Sequence, residues 1–302
     1  MKKTFYSNGK LLLIGEYTVL DGSKGFALPT VYGQHLLIED TAEKALEWKS
    51  FDADGTLWFE AEIPFEAITD KARSEDKITN TLIDILHTAH TMNPAVLSNS
   101  EGIKAVTELT FPRNWGLGSS STLINNIAQW FNIDAFKLLS KSFGGSGYDI
   151  ACAQHNTPIL YSIEKEVPAI QPVNFNPAFT DKLYFIYLNR KQNSRSAILD
   201  YKQKADKVEN LIKQVDKIIA EAHTTDSFSR FCELLDEHSN LLSKTLQMKT
   251  VKQNLFPDFN GTLKSLGAWG GDFILAASEE NPEAYFNQKG YHIIIPYKEM
   301  IL

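Results

Sequence analysis

Two short stretches of this chain set small residues beside hydroxyl or acidic side chains, and a third opens on a lysine, which is the chemistry that handling a phosphate group needs. The first is Pro112-Arg113-Asn114-Trp115-Gly116-Leu117-Gly118-Ser119-Ser120-Ser121. Glycines let the backbone approach a ligand closely, and a helix opening at the serines presents unsatisfied N–H groups at its positive end, where anions bind. The serine hydroxyls add a possible contact to a magnesium ion carried by the phosphates. The same residues also suit an ordinary helix cap, since serine is favoured there. The second stretch is Ser146-Gly147-Tyr148-Asp149. An aspartate at a helix start stays ionised, and it can take or orient the proton of a hydroxyl attacking a phosphoryl group. Taken alone, such an aspartate is more often a simple helix cap. The third is Lys10, at the head of Lys10-Leu11-Leu12-Leu13-Ile14-Gly15-Glu16-Tyr17. Such a lysine is either a solvated strand end or a positive charge placed against the transferring phosphoryl group.

Several competing chemistries are excluded by spacing. No lysine follows the glycines as a Walker A loop requires, and Gly116-x-Gly118-x-x-Ser121 lacks the third glycine of a dinucleotide fingerprint. Gly144 to Tyr148 does not form a Gly-x-Ser-x-Gly nucleophile elbow. The seven histidines show no paired metal spacing, and Cys152 and Cys232 fit no zinc pattern.

The elements that must position these residues can be read from apolar periodicity. Strands are expected over 10–20 and 25–38, split by the turn Asp21-Gly22-Ser23, then over 45–51 and 56–63, joined through Asp54-Gly55. Ile78, Leu82, Ile85, Leu86 and Ala89 fall on one helical face. A strand over 103–111 ends at Pro112, and an apolar helix is expected over 119–131. Pro158, Pro168, Pro172 and Pro177 suggest a crossover or domain boundary, because proline removes a backbone donor. Beyond it a strand over 182–189 leads into a charged helical region, about 195–247, of which 200–247 is expected to be an exposed helix pair. A third glycine turn, Gly267-Ala268-Trp269-Gly270-Gly271, precedes apolar residues 273–277, and a last strand is expected at 292–296. The expected organisation is a β-rich lobe over 1–170 and an α+β lobe over 171–302.

Composition narrows the partners. With 302 residues, 43% apolar residues and a net charge of −7, the chain suits a two-lobed globular protein and gives no reason to expect nucleic acid. No apolar run approaches the ~20 residues of a membrane span, and the first residues do not form a signal peptide. The expectation is a cytoplasmic protein acting on a small molecule, with no membrane partner, as a monomer or homodimer.

Four segments in order resemble the motifs of the GHMP kinases (galactokinase, homoserine, mevalonate and phosphomevalonate kinases). Gly9-Lys10 to Leu20 is similar to the first motif, Pro112 to Ser121 to the second, and Lys264-Ser265-Leu266-Gly267-Ala268-Trp269-Gly270-Gly271-Asp272 to the third, with Ser146 to Asp149 between. Gly15-Glu16-Tyr17, the aromatic Trp115 and Asp149-Ile150-Ala151 resemble the phosphomevalonate and mevalonate kinase branch. The resemblance implies an α+β, two-lobed GHMP kinase fold, with a ribosomal-protein-S5-like N-terminal lobe and a ferredoxin-like C-terminal lobe. It implies ATP and magnesium (Mg2+) as cofactors, with ATP on Trp115, Gly116, Leu117, Gly118, Ser119, Ser120 and Ser121, and the metal on Ser120. It further implies Asp149 as catalytic base, Lys10 beside the transferring phosphate, and Glu16, Tyr17, Ser146, Gly147 and Gly270 near the acceptor. Lys191, Ser194, Arg195 and Ser196 form a basic, hydroxyl-rich cluster in which Arg195 could meet an anionic acceptor, or simply start a solvated helix.

Two departures stand out. Trp269 occupies a position where the third motif carries glycine, and residues 138–143 hold no carboxylate to complete a magnesium site. The expected activity is phosphorylation of 5-phosphomevalonate or mevalonate. The alternatives are a sugar or other metabolite kinase and a non-catalytic metabolite-binding protein of the same fold.

Overall fold

The computed structural model describes residues 2–190, 198–199, 201–203, 208–267 and 269–302. Contacts gather the chain into two compact units, Met1–Gly9 with Tyr32–Arg113 and Leu117–Gln154, and Lys10–Val31 with Asn114–Gly116 and His155–Leu302. The units interleave along the chain and do not follow a single cut. Strands β1 (Lys2–Ile14) and β2 (Gly25–Thr41) each begin in one unit and end in the other.

In the first unit β3 (Ala45–Phe51) and β4 (Leu57–Pro64) form the expected hairpin, with Gly55 N–H donating to the Asp52 carbonyl in the turn. β5 (Gly102–Leu109) runs parallel to β3 and antiparallel to the second half of β2, in register Gln34–Leu109 to Thr41–Gly102. Leu46, Trp48 and Ser50 alternate inward along β3, as a period of two dictates. The helix Lys77–Met92 is capped by Asp76, which accepts from Thr79 N–H at 2.7 Å. It buries Leu82, Ile85, Leu86 and Ala89, whereas Ile78, in its first turn, is exposed. The helix Ser119–Phe131 begins and ends where the sequence placed it and sends Ile124, Ile127, Ala128 and Phe131 into the same core. Burying side chains of this size stabilises by roughly 1.5–3 kcal/mol each, against the chain entropy lost.

In the second unit β6 (Ile159–Glu164) pairs with Gly25–Ala27 of β2 and with β7 (Val167–Pro172). The proline-dense stretch is therefore a hairpin as well as a boundary. β7 ends its sheet and pairs with β6 alone, so Pro168 and Pro172 withdraw no N–H from an interior ladder. A four-stranded antiparallel sheet follows, made of β8 (Leu183–Tyr187), β9 (Thr262–Ser265), β10 (Phe273–Ala277) and β11 (Ile294–Pro296) in the order β11-β8-β10-β9. The helices Val208–Ala222 and Phe228–Leu246 are amphipathic and not merely exposed. One buries Leu211, Val215, Ile218 and Ile219, and the other buries Phe231, Leu234, Leu235, His238 and Leu242. The class is α+β, as the sequence implied.

Candidate active site

The second unit carries Lys10, the front of the phosphate-loop candidate and the third glycine turn. Lys10, at the β1 position where the chain passes between units, is half-buried and donates from Nζ to the Gly116 carbonyl at 2.9 Å. Gly116 has φ 70°, and a Cβ there would stand 2.1 Å from Asp272 Oδ2, so only glycine admits this approach. Asp272 is held in turn by its N–H to the Arg190 carbonyl (3.1 Å) and by its own carbonyl, which accepts from Leu188 N–H (2.8 Å). Trp115 packs its indole edge-on against Phe273, and the Tyr187 hydroxyl donates to the Asn114 carbonyl at 3.1 Å. Trp115 thus anchors the loop to β8 and β10. Sequence reasoning found the two motifs but not that Lys10, Gly116 and Asp272 form one constellation.

Glu16 and Tyr17, expected near the acceptor, are buried and engaged inside the unit. Glu16 is paired with Lys264 of β9, which also donates to the Ser265 carbonyl. Burial pushes the Glu16 carboxyl up from 4.5, opposed by the Lys264 charge, and burial pulls the Lys264 ammonium down from 10.5. His238 accepts from Gly15 N–H at Nε2 (3.3 Å), and burial, reinforced by Lys264, holds it well below its ordinary 6.5. A neutral imidazole with its proton on Nδ1 fits that acceptor role. Tyr17 takes φ 64°, stacks on Tyr201, and accepts from Trp269 N–H at its hydroxyl, 2.7 Å away. Trp269 in turn donates from Nε1 to the Lys249 carbonyl at 3.1 Å, so the departing indole is built into the turn. Gly270 lines a cleft beside it.

The first unit carries the rest of the phosphate-loop candidate and Asp149. Gly118, at φ 96°, opens the helix Ser119–Phe131 and, among the described residues, no side-chain cap bond forms at its start, which leaves first-turn N–H donors for an anion. Leu117 is fully buried and can contribute only backbone. Ser121 turns inward and donates to the Gly118 carbonyl (2.8 Å), whereas Ser119 is half-buried and Ser120 exposed. Of the three hydroxyls, Ser121 is engaged and Ser120 is the most exposed, so Ser120 is best placed to meet a phosphate-bound cation, and the loop fits a nucleotide's phosphates. Among the described residues no three His, Cys, Asp or Glu side chains gather as a metal site. Asp149 lies half-buried in the first turn of the helix Tyr148–Gln154, after Ser146 and Gly147, with Gly147 at φ 89°. Thr122 links the loop helix to Gln34 (2.7 Å), and Gln154, at the far end of the Asp149 helix, donates to Asn125 at 2.9 Å. One neutral hydrogen bond thus ties the two helices together, and a second ties the loop helix to β2. Arg195 lies outside the described residues.

No family model matches the chain, and no curated protein is significantly similar to it in sequence. Solved structures are similar in fold. The Lin0012 protein of Listeria innocua matches with a TM-score of 0.74 at 17% identity, over 98% of this chain and 97% of its own. Streptococcus pneumoniae phosphomevalonate kinase, in complex with phosphomevalonate and AMPPNP, matches at 0.69 and 16% identity, over 95% of each chain. Lactococcus lactis galactokinase, complexed with galactose, matches at 0.67 and 15% identity, over 95% and 88%. Mevalonate kinases and a heptose 1-phosphate kinase share the fold as well. The chain has the fold of the GHMP kinases. Among the described residues no helix is long and apolar enough to cross a membrane.

Proposed function

We propose that this chain is an ATP-dependent kinase of a small-molecule acceptor, with 5-phosphomevalonate as the first expected acceptor and mevalonate as the second. The observation that carries the reading is the Lys10 Nζ contact to Gly116 in a loop that leads to an uncapped helix start. Neighbours of the same fold are kinases, and one of them holds an ATP analogue together with phosphomevalonate.

Magnesium-ATP, when bound, supplies the γ-phosphoryl group. The backbone N–H groups at Ser119 to Ser121 would hold its phosphates, and the Ser120 hydroxyl would meet the metal. Lys10, anchored by the loop carbonyl, would balance the charge that develops on the transferring group. Asp149 would accept the proton of the acceptor hydroxyl as that oxygen bonds to phosphorus and the bond to the ADP oxygen breaks. Ser146 and Gly147 would shape the acceptor side of the same turn, with Arg195 a cationic contact for an anionic acceptor.

The test is ADP release with magnesium-ATP against mevalonate, 5-phosphomevalonate, homoserine and hexoses, for the native chain and Asp149→Asn. One acceptor should turn over, and the variant should lose about 100- to 10,000-fold in kcat while remaining folded. Full turnover by the variant sinks the assignment of the base. A second reading, a binding protein without turnover, is favoured by Trp269 in a glycine position and by the absence of a carboxylate in 138–143. It predicts bound ATP and no ADP from any acceptor.

A further inference from the structure

The third glycine turn does more than approach the phosphate loop. A cleft of about 350 Å³ opens beside it, lined by Arg190, Met248, Lys249, Leu255, Trp269 and Gly270 among others. Among the described residues its lining holds two cations and no acidic side chain. Neither side chain pairs with a carboxylate among the described residues. Like charges gathered in one concavity repel each other until an anion joins them.

The backbone is built to keep both cations there. The Lys249 carbonyl accepts from the Trp269 indole N–H at 3.1 Å, and the Arg190 carbonyl accepts from Asp272 N–H at 3.1 Å. Gly270, at φ 77°, leaves its face open, and a Cβ there would stand 3.6 Å from Arg190 Nη2. Trp269, the departure from the motif's glycine, is therefore the tie that carries Lys249 to the turn. The same turn places Asp272 against Gly116, where Lys10 donates. The cleft thus adjoins the phosphate loop through two residues of a single turn. Met248 and Leu255 supply an apolar wall suited to a short carbon chain.

We propose that Arg190 and Lys249, walled by Trp269, bind a phosphate group that the acceptor already carries, so that the site selects phosphorylated acceptors over neutral ones. A dianion with a short alkyl chain matches the two cations and the apolar wall, and an uncharged sugar leaves both cations unpaired. This deepens the kinase reading and rests on it for the word acceptor, but binding can be measured without turnover.

The experiment is calorimetry on the full chain, without ATP, with 5-phosphomevalonate, mevalonate and inorganic phosphate as probes. 5-Phosphomevalonate should bind at least about tenfold tighter than mevalonate. Arg190→Ala and Lys249→Ala should each weaken it about tenfold, while mevalonate and ATP stay within about twofold. Arg190→Lys should recover part of the loss, and unchanged melting of these surface variants shows that they remain folded. Equal binding of the two acids, or variants that bind 5-phosphomevalonate as the native chain does, overturns the subsite. A loss confined to ATP overturns it too, by assigning the cations to the nucleotide. Binding as expected without any ADP release leaves the subsite standing and removes the kinase reading. Turnover of 5-phosphomevalonate with unchanged constants in Arg190→Ala does the reverse.

Discussion

Two buried polar clusters, one in each unit, solve the problem of a polar interior in opposite ways. In the first, Ser7, Gln34, Thr122, Asn125 and Asn126 are buried and neutral, and they bond to one another. Asn126 accepts from Ser7 Oγ at 2.7 Å and donates to the Gln34 carbonyl at 2.9 Å, and Asn125 donates to Ser7 at 2.8 Å. In the second unit the buried polar groups include the titratable Glu16, Lys264 and His238, and among the described residues Glu16 Oε2, His238 Nδ1 and Ser265 Oγ find no hydrogen-bond partner. A satisfied neutral network costs little and fixes geometry, which suits a scaffold joining the loop helix to the Asp149 helix. A buried ion pair is costly to desolvate, and its worth lies in what it holds in place. Here it holds the turn Gly15-Glu16-Tyr17, whose tyrosine hydroxyl meets Trp269 N–H.

The sharpest way to break this contrast is Lys264→Met. It leaves the Glu16 carboxylate buried without its partner and should cost about 3–5 kcal/mol by denaturant unfolding. The cost should shrink as pH falls from 8 towards 5. Burial already raises the Glu16 carboxyl, and removing Lys264 raises it further, so protonation restores a neutral group in the folded state. A deficit independent of pH would show that Glu16 does not carry the cost, and Glu16→Gln in the same background should recover much of it.

The matching cut in the neutral network is Asn126→Leu. It strands the Ser7 hydroxyl and the Gln34 carbonyl and should cost about 1–3 kcal/mol, with no pH dependence between 5 and 8. A pH-dependent loss there would erase the distinction between the two interiors.

His238 gives the smallest effect and the finest test. Its folded pKa is depressed, so its contribution is present above 6.5 and is lost as pH falls below that, where only the unfolded chain takes up the proton. Native stability should therefore fall by up to about 1.4 kcal/mol per pH unit below 6.5 from this residue. His238→Gln, which keeps an acceptor for Gly15 N–H, should flatten that part of the profile. An unchanged slope would assign it to other groups.

Much of this architecture was legible because punctuation and periodicity agreed. Pro112, the glycines and the serines mark the helix Ser119–Phe131 to the residue, and Asp54-Gly55 marks the β3–β4 hairpin. Prolines misled at 168 and 172, because sequence does not say which strand is an edge. The ion pair was not legible, since Glu16 and Lys264 lie 248 positions apart and nothing local marks either as buried. His238 did leave a trace. It follows Leu234 by four positions and precedes Leu242 by four, the spacing of a core face. The cleft cations left none, because Arg190 and Lys249 meet only through the third glycine turn.

The contact between Gly116 and Asp272 has a consequence for how this protein can vary. Any side chain at 116 would occupy the space of the Asp272 carboxylate, and φ 70° already disfavours one. The two positions, 156 residues apart in sequence, are therefore a single inherited unit: one stays empty so that the other can be filled. A lineage could enlarge the first only after shrinking the second.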